Sequence, residues 1–142
     1  STAKGLGGGL PLGAVLFGEK TENTYTFGDH GSTFGGNPVC CAGALSVVSR
    51  IDDKLLADVK AKSEYIFKAF EGAEGVESVS GLGLMIGIKT KKKAGDVLSA
   101  CMEKGVLCLT AKDKLRLLPA LNIPMDVLEK AIGIIKEACK ED

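Results

Sequence analysis

The sequence has little that suits a nucleic acid or a membrane. Its 18 basic and 18 acidic residues cancel to a formal net charge of zero, which argues against a nucleic acid or an anionic membrane as partner. No apolar run approaches the length of about 20 residues that a membrane helix needs. Neither a secretory leader nor an initiating Met is present, and we therefore expect a piece of a longer chain.

The cysteines lack a metal-binding signature. No two of the five form a C-x-x-C pair, and the one histidine, His30, is the only nitrogen ligand that could join them. Thiols within apolar helix and strand patterns are typical of reduced, buried cysteines in a cytosolic protein. We therefore predict free thiols in a cytoplasmic protein and no zinc site. The cysteines are Cys40, Cys41, Cys101, Cys108 and Cys139.

The chain consists of two segments that differ in composition. Residues 1–50 are rich in glycine and do not form a self-sufficient fold. They end in a helix of small residues, Val39–Arg50, for which Asn37 suits the N-cap and Pro38 the first helical position. Small side chains allow close approach, so we expect this helix to be buried. We also expect short strands at Leu12–Phe17 and Thr24–Phe27 to pair across a turn.

Residues 51–142 read as a compact α+β domain. An amphipathic helix begins at Asp52–Asp53, ends near Gly72 and has its lysines and acids on a solvated face. The order strand, strand, helix, strand, strand, helix then predicts a small sheet covered by helices on one side. The predicted elements are strands at Val76–Ser80, Leu82–Ile88, Val106–Thr110 and Lys114–Leu118, a basic turn at Lys89–Lys93, and helices at Ala94–Lys104 and Pro124–Ala138.

The stretch from Lys4 to Ala14 places one lysine directly before a run that is half glycine and otherwise apolar. Glycines let the backbone approach a ligand closely. An amine among apolar groups loses hydration, which favours its neutral, nucleophilic form. Taken alone, a solvated lysine beside a flexible loop is the simpler interpretation. The run is not a phosphate-binding P-loop, because Lys4 precedes the glycines.

Two further features of the sequence support a functional role for Lys4. Ser32 and Thr33 lie in a glycine-rich turn that leads to a helix start, where hydroxyls and free N–H groups suit a phosphate or carboxylate. Arg116 alternates with Leu115 and Leu117 on a strand, and its planar guanidinium suits bidentate capture of a carboxylate. An amine, a phosphate-binding hydroxyl and a carboxylate-binding arginine are the components of an enzyme that uses pyridoxal phosphate on amino acids.

Four motifs, in register over the whole chain, resemble the class III aminotransferases. They are Lys4–Ala14, His30–Pro38, Gly81–Gly87 and Leu115–Pro119. The resemblance implies an α/β parent of the pyridoxal-phosphate-dependent transferase fold type I. Residues 1–50 would be the end of its large, cofactor-binding domain, and 51–142 a linking helix and an α+β C-terminal small domain. Ser80 and Ala120 depart from the family, which usually has arginine and proline there.

The resemblance also implies roles. Lys4 would form the Schiff base with pyridoxal 5'-phosphate and move the substrate proton. Thr33 would bind the cofactor phosphate in the other subunit of a homodimer, Ser32 would contact the substrate, and Arg116 would bind the α-carboxylate of 2-oxoglutarate or glutamate. The most similar members move the δ-amino group of N2-acetyl-L-ornithine to 2-oxoglutarate, a cytoplasmic step of arginine biosynthesis.

Family groups that hold the cofactor ring lie upstream of the lysine, so we expect this piece to be inactive alone. Three alternatives stay open. The amino donor could instead be succinyl-diaminopimelate, succinylornithine or ornithine. The chain could be a non-catalytic α+β dimerisation module, as its last ninety or so residues suggest. Its glycines alone would also fit a phosphate-binding enzyme of another class, such as a nucleotide binder.

Overall fold

Two units, Ser1–Asp52 and Asp53–Asp142, make up the computed structural model, which describes residues 1–140. In the described chain no helix combines the length and the apolar character needed to cross a bilayer. The elements are α1 (Pro38–Val48), α2 (Asp53–Phe70), β1 (Val76–Leu82), β2 (Met85–Thr90), α3 (Ala94–Glu103), β3 (Leu109–Ala111), β4 (Lys114–Leu117) and α4 (Met125–Cys139).

The first unit begins α1 as the sequence predicts. The Asn37 side-chain oxygen accepts a hydrogen bond from the Cys40 N–H at 3.0 Å, and Pro38 opens the helix. This cap satisfies one of the amides that a helix start leaves without an intrahelical partner. The chain before α1 is therefore fixed in direction as it enters the helix.

The two predicted strands of this unit are wrong. Residues 1–52 contain a single isolated bridge, between Thr2 and Ala14, with two N–H···O bonds of 2.8 Å. The segments meet instead through Phe17 and Tyr25, whose rings lie 5.1 Å apart in an edge-to-face arrangement. Leu16 and Phe27 stay exposed. Without a buried face on which side chains can pack, apolar composition alone does not hold a strand.

The expected burial of α1 is also wrong for this chain. Cys40 is its only buried residue among the described residues, whereas Val39, Leu45 and Val48 are exposed. The expected close approach is confirmed at Gly43, which packs against the glycine-rich loop. Small side chains thus allow one close contact, but residues 1–140 do not cover the rest of the helix.

The second unit is an antiparallel sheet of strand order β1-β2-β4-β3. Ile86 pairs with Leu117 and Ile88 with Leu115, and all four side chains are buried against the helices. The alternate positions lie on the other face, where Gly87 pairs with Arg116. The predicted small sheet with helices on one side is therefore confirmed.

Some helix and strand boundaries differ from the predicted ones because the backbone amides there bond other partners. The Val106 N–H bonds the Cys101 carbonyl at 2.9 Å and so finishes α3, which delays β3 to Leu109. The predicted basic turn starts too early, because Lys89 belongs to the ladder of β2. Gly83 has a φ of +56° and forms the β1–β2 turn, a conformation that favours glycine.

The polar face of α2 is not wholly solvated, contrary to expectation. Lys62 is only 4% exposed. Its ammonium pairs with Asp58 one turn earlier and donates to the Leu121 carbonyl at 3.3 Å. The long side chain covers apolar surface while its charge finds two oxygen partners. On the apolar stripe, Ile66 and Phe70 are buried as predicted.

Candidate active site

Lys4 opens a short 3₁₀ turn, Lys4–Gly7, in an unusual backbone conformation. Its φ is +55°, which places a side-chain-bearing residue in the left-handed region. Such a conformation costs on the order of 1 kcal/mol and persists only where its surroundings hold it. Gly8 closes the turn at φ +63°, and its N–H bonds the Gly5 carbonyl at 3.1 Å. The lysine thus sits on a defined turn.

The turn is held against α1 by contacts that leave no room for a methyl group. A Cβ atom on Gly43 would lie 2.8 Å from Leu10 Cδ1 and 2.9 Å from the Gly7 carbonyl oxygen. A Cβ on Gly8 would lie 3.1 Å from Val47 Cγ2. Real Cβ contacts are essentially never as short as those at Gly43, so this glycine is required for the loop to approach the helix this closely. At Gly8 the contact is tight, and the φ of +63° itself favours glycine.

The expected apolar cover over Lys4 is absent among residues 1–140, since its side chain is exposed. Glycine neighbours offer little surface with which to exclude water. Any desolvation of the amine must therefore come from groups outside the described chain, including a bound ligand.

Ser32 and Thr33 lie immediately before α1 on a second ordered turn. The Gly35 N–H bonds the Ser32 carbonyl at 3.2 Å, and the Asn37 side-chain amide donates to the Phe34 carbonyl at 3.1 Å. Both hydroxyls are exposed and have no hydrogen-bond partner among the described residues. They are available to donate to an oxygen of a ligand.

Helix α1 is the common support of these two loops. The Lys4 loop packs against its middle at Gly43 and near its C-terminal end at Val47. The loop carrying Ser32 and Thr33 enters its first turn through the Asn37 cap. One helix therefore positions both the candidate nucleophile and the candidate phosphate-binding hydroxyls.

Arg116 lies in the second unit, on the face of the sheet that the helices do not cover. It is half-buried, and its Nε atom is buried without a hydrogen-bond partner in the described chain. It lines a cleft of about 580 Å³ with Leu82, Met85 and Gly87 among its walls. A buried guanidinium nitrogen without a partner is costly, and a carboxylate would satisfy it.

The other cations on this face have partners. Lys89 lies 3.2 Å from a Glu77 oxygen and 3.8 Å from an Asp113 oxygen, and its hydrogen bond to Glu77 is the main reason that its pKa is raised. Lys114 donates to the Ser80 hydroxyl at 2.8 Å. Arg116 has no acidic partner among residues 1–140, so it is the cation on this face best placed to take an external anion.

The bond between Lys114 and Ser80 was missed by sequence reasoning. Its donor and acceptor lie 34 residues apart, on strands separated by β2. The lysine side chain crosses over Gly87, where a Cβ would lie 3.1 Å from Lys114 Cδ. The serine that departs from the family pattern thus has a defined partner. The one available signal was the glycine at position 87 on β2, the strand that lies between those of Ser80 and Lys114.

The donor set suits an organic phosphate better than a metal ion. The described residues contain no group of three or more His, Cys, Asp or Glu side chains that could hold a metal. They do contain an exposed primary amine on a strained turn, two hydroxyls without partners and an arginine nitrogen without a partner. These groups fit an aldehyde, a phosphate and a carboxylate respectively.

Comparison with known families agrees with this chemistry. Residues 1–139 match the family model for aminotransferase class-III. The chain is 45% identical over 141 residues to the acetylornithine aminotransferase of Haemophilus ducreyi and 41% identical over 136 residues to that of Aquifex aeolicus. The matches cover 98% and 95% of this chain. In each case the chain spans 36%, about a third, of the relative's length.

Solved structures show the same fold. The ornithine δ-aminotransferase of Plasmodium falciparum matches 96% of the chain with a TM-score of 0.79 and 29% identity. The ornithine aminotransferase of Plasmodium yoelii matches the same share with a TM-score of 0.79 and 30% identity. The N-acetylornithine aminotransferase of Stenotrophomonas maltophilia matches 73% with a TM-score of 0.68. The chain covers 38%, 39% and 31% of these proteins.

Proposed function

Because the chain belongs to the class-III aminotransferase family, we propose that it is the lysine-bearing C-terminal part of a pyridoxal-phosphate-dependent acetylornithine aminotransferase. The complete enzyme would move the δ-amino group of N2-acetyl-L-ornithine to 2-oxoglutarate. Acetylornithine is proposed as the amino donor because the two relatives named above are acetylornithine aminotransferases. Residues 1–50 would end the cofactor-binding domain, and 51–142 would form the linking helix and the small domain.

The observation that carries the proposal is the construction of the Lys4 loop. A non-glycine residue at φ +55° is followed by a glycine-rich turn whose Gly7 carbonyl and Leu10 side chain lie against Gly43 of α1, where there is no room for a Cβ. Strain of this kind clusters at ligand sites, where the surroundings fix it. The exposed Lys112 has a φ of +56° in the turn between β3 and β4, so it is the packing of the turn on α1, more than the positive φ, that distinguishes Lys4. The same helix begins directly after Ser32 and Thr33, which links the amine to the proposed phosphate site.

Each residue then has a task that its chemistry permits. When bound, pyridoxal phosphate supplies an electron sink that stabilises negative charge at the reacting carbon of the amino substrate. The Lys4 amine would hold the cofactor through its aldehyde and, when free, would remove and return the substrate proton. The Thr33 hydroxyl donates to a phosphate oxygen, and Ser32 contacts the amino substrate. The Arg116 guanidinium donates two hydrogen bonds to a substrate carboxylate.

We further propose a homodimer in which Thr33 serves the active site of the other subunit, and a location in the cytoplasm. Both proposals follow from the resemblance to the family. The exposed Val39, Leu45 and Val48 of α1 support the first, because exposed apolar side chains on one helix favour a covering partner. The ring-holding groups would come from the upstream part, so we expect the 142-residue chain alone to have no measurable aminotransferase activity.

The test is transamination by the complete enzyme that contains this chain. Lys4→Ala should abolish activity with N-acetylornithine, whereas Lys20→Ala, an exposed lysine in a nearby turn, should leave it unchanged. Comparison of kcat/KM for N-acetylornithine and for ornithine tests the donor. Full activity of Lys4→Ala contradicts the proposed mechanism, and a preference for ornithine contradicts the assigned substrate.

A further inference from the structure

Lys114 and Ser80 form a polar bridge across the open face of the sheet, beside the proposed carboxylate site. The Lys114 Nζ atom donates to the Ser80 hydroxyl at 2.8 Å. The lysine lies on β4 and the serine on β1, with β2 between them. Both residues line the cleft of about 580 Å³ that Arg116 also lines. The transamination proposed above uses neither Lys114 nor Ser80.

The register of the sheet brings this bridge next to Arg116. Ser80 pairs with Gly87, and Gly87 in turn pairs with Arg116, so the three residues form one row across the strands. Residues paired in this way present their side chains on the same face. Lys114 lies two residues along β4 from Arg116, opposite Lys89. Its side chain therefore reaches Ser80 only by leaning diagonally across the sheet.

Gly87 leaves the space for this diagonal. A Cβ atom on Gly87 would lie 3.1 Å from Lys114 Cδ and 3.7 Å from the Ser80 Oγ atom. The lysine methylenes therefore occupy the space over β2 that a side chain at position 87 would fill. Glycine within a strand often marks the close approach of another group, and here that group is the stem of Lys114.

The lysine stem consequently fills the β2 side of Arg116. Gly87, the partner of Arg116 on β2, has no side chain, so the stem of Lys114 is the group that stands beside the arginine in that direction. On the other side, Leu109 of β3 pairs with Arg116. The base of the arginine side chain thus lies between an aliphatic stem and a leucine. The burial of its Nε atom agrees with this confinement.

The bridge confines Arg116 without satisfying or neutralising it. Neither the methylenes nor the ammonium of Lys114 can accept a hydrogen bond, so the arginine gains no acceptor from the lysine. The acceptor within the bridge is a neutral hydroxyl, which places no negative charge beside the guanidinium. The Arg116 Nε atom has no hydrogen-bond partner within residues 1–140. Its N–H is therefore left for an acceptor on a ligand.

We propose that Lys114 is a positioning residue for Arg116. Its stem over Gly87, anchored by Ser80, restricts the arginine side chain to the orientation in which the guanidinium takes a ligand carboxylate. A side chain that is already ordered loses less conformational entropy on binding, which improves affinity. The identity of the ligand, 2-oxoglutarate, rests on the proposed function, whereas the confinement of Arg116 does not.

NMR relaxation of the arginine side chains in the 142-residue chain tests the confinement. The sequence has only two arginines, and Arg50→Met assigns their Nε–H signals. The order parameter of the Arg116 signal should lie above about 0.6 in wild type and fall below that value in Lys114→Ala and in Ser80→Ala. Lys112→Ala, at an exposed position of the same hairpin, should leave it unchanged. Equal order parameters in wild type, Lys114→Ala and Ser80→Ala overturn the proposal, and Ser80 is exposed, so its variant keeps the fold.

Steady-state kinetics of the complete enzyme test the effect on binding. Lys114→Ala should raise KM for 2-oxoglutarate by about 2–10-fold, because the arginine must then be ordered on binding, and should leave kcat within about twofold of wild type. Lys114→Arg, which keeps a long stem and a donor for Ser80, should restore KM. An unchanged KM in Lys114→Ala overturns the proposal where Arg116→Met raises KM. If Arg116→Met also leaves KM unchanged, the proposed role of Arg116 in substrate binding fails instead, and the relaxation measurement alone decides whether Lys114 positions Arg116.

Discussion

Gly43 of α1 lies directly against Leu10 of the glycine-rich loop, and a Cβ atom on Gly43 would stand 2.8 Å from Leu10 Cδ1. The same atom would stand 2.9 Å from the Gly7 carbonyl oxygen, which is backbone and cannot swing aside. The turn that carries Lys4 therefore keeps its position only because α1 has no side chain at this point.

Gly43→Ala should destabilise the first unit by about 1–3 kcal/mol through overpacking. Helix propensity alone would favour alanine by about 1 kcal/mol, so the sign of the change tests the contact. Hydrogen exchange of the α1 amides reports the effect. The control is Gly133→Ala in α4, where an added Cβ meets nothing within 4 Å. It should stabilise its helix, and equal effects of the two substitutions would contradict the packing described.

Lys62→Ala should lower the free energy of unfolding by about 1–3 kcal/mol, because the substitution leaves the Leu121 carbonyl without its donor and removes buried methylenes. The ion pair with Asp58 adds little to this figure, since the aspartate is half exposed and water screens it. Urea unfolding measures the change. Lys60→Ala, at an exposed position of the same helix, should stay within about 0.5 kcal/mol of wild type.

The buried thiols should make the second unit less stable at alkaline pH. Burial raises the pKa of Cys108 to about 12 and that of Cys139 to about 11, whereas an unfolded cysteine titrates near 8.5. Above that pH the unfolded chain releases protons that the folded chain retains, so stability falls as pH rises. The charged neighbours, Lys104 near Cys101 and Lys92 near Cys139, oppose the shifts weakly.

The measurement is the urea midpoint between pH 8 and 10 under reducing conditions. Cys108→Ala should reduce the slope of midpoint against pH, because one fewer thiol titrates differently in the two states. An unchanged slope would contradict the burial of this thiol. Cys41→Ala provides the matched control and should leave the slope as it is in wild type.

Arg116→Met in the complete enzyme should raise KM for 2-oxoglutarate by about 10–100-fold, as expected when a charge-assisted bidentate contact is lost. Initial rates at varied 2-oxoglutarate provide the measurement. Arg50→Met removes the only other arginine of the sequence, which is exposed, and should leave KM unchanged. A KM for 2-oxoglutarate that is unchanged in Arg116→Met would contradict the proposed role of this residue in carboxylate binding.

The parts of the fold that sequence predicted well are those fixed locally. The cap at Asn37 and Pro38 depends on two adjacent residues and formed as predicted. The alternation of Leu115 and Leu117 with Arg116 sets the two faces of β4. In both cases the deciding interactions lie within one turn of a helix or along one strand.

The predictions that failed depended on distant groups. Leu12–Phe17 has the composition of a strand, but within residues 1–140 it pairs only at Ala14, through the isolated bridge to Thr2. The helical period places Lys62 on the polar side of α2, and its hydrogen bond to the carbonyl of Leu121, 59 residues away, is a contact that residue order does not reveal. The strained backbone of Lys4 and the bond between Lys114 and Ser80 likewise follow from packing that residue order does not reveal.

The candidate site likewise combines features that the sequence predicted with features that it did not. Residue types and the family resemblance singled out Lys4, Ser32, Thr33 and Arg116. Sequence alone did not reveal that α1 supports both the loop of Lys4 and that of Thr33, or that Arg116 has a buried Nε without a partner. These are relations between segments, and they require the folded chain.

The most direct test of the whole account is the position of a covalent pyridoxyl label. The complete enzyme, incubated with pyridoxal phosphate and reduced with borohydride, would be digested and mapped by mass spectrometry. We predict a single stoichiometric label on the Lys4 side chain. An unlabelled Lys4, with label spread over exposed lysines such as Lys20 and Lys60, would contradict the account.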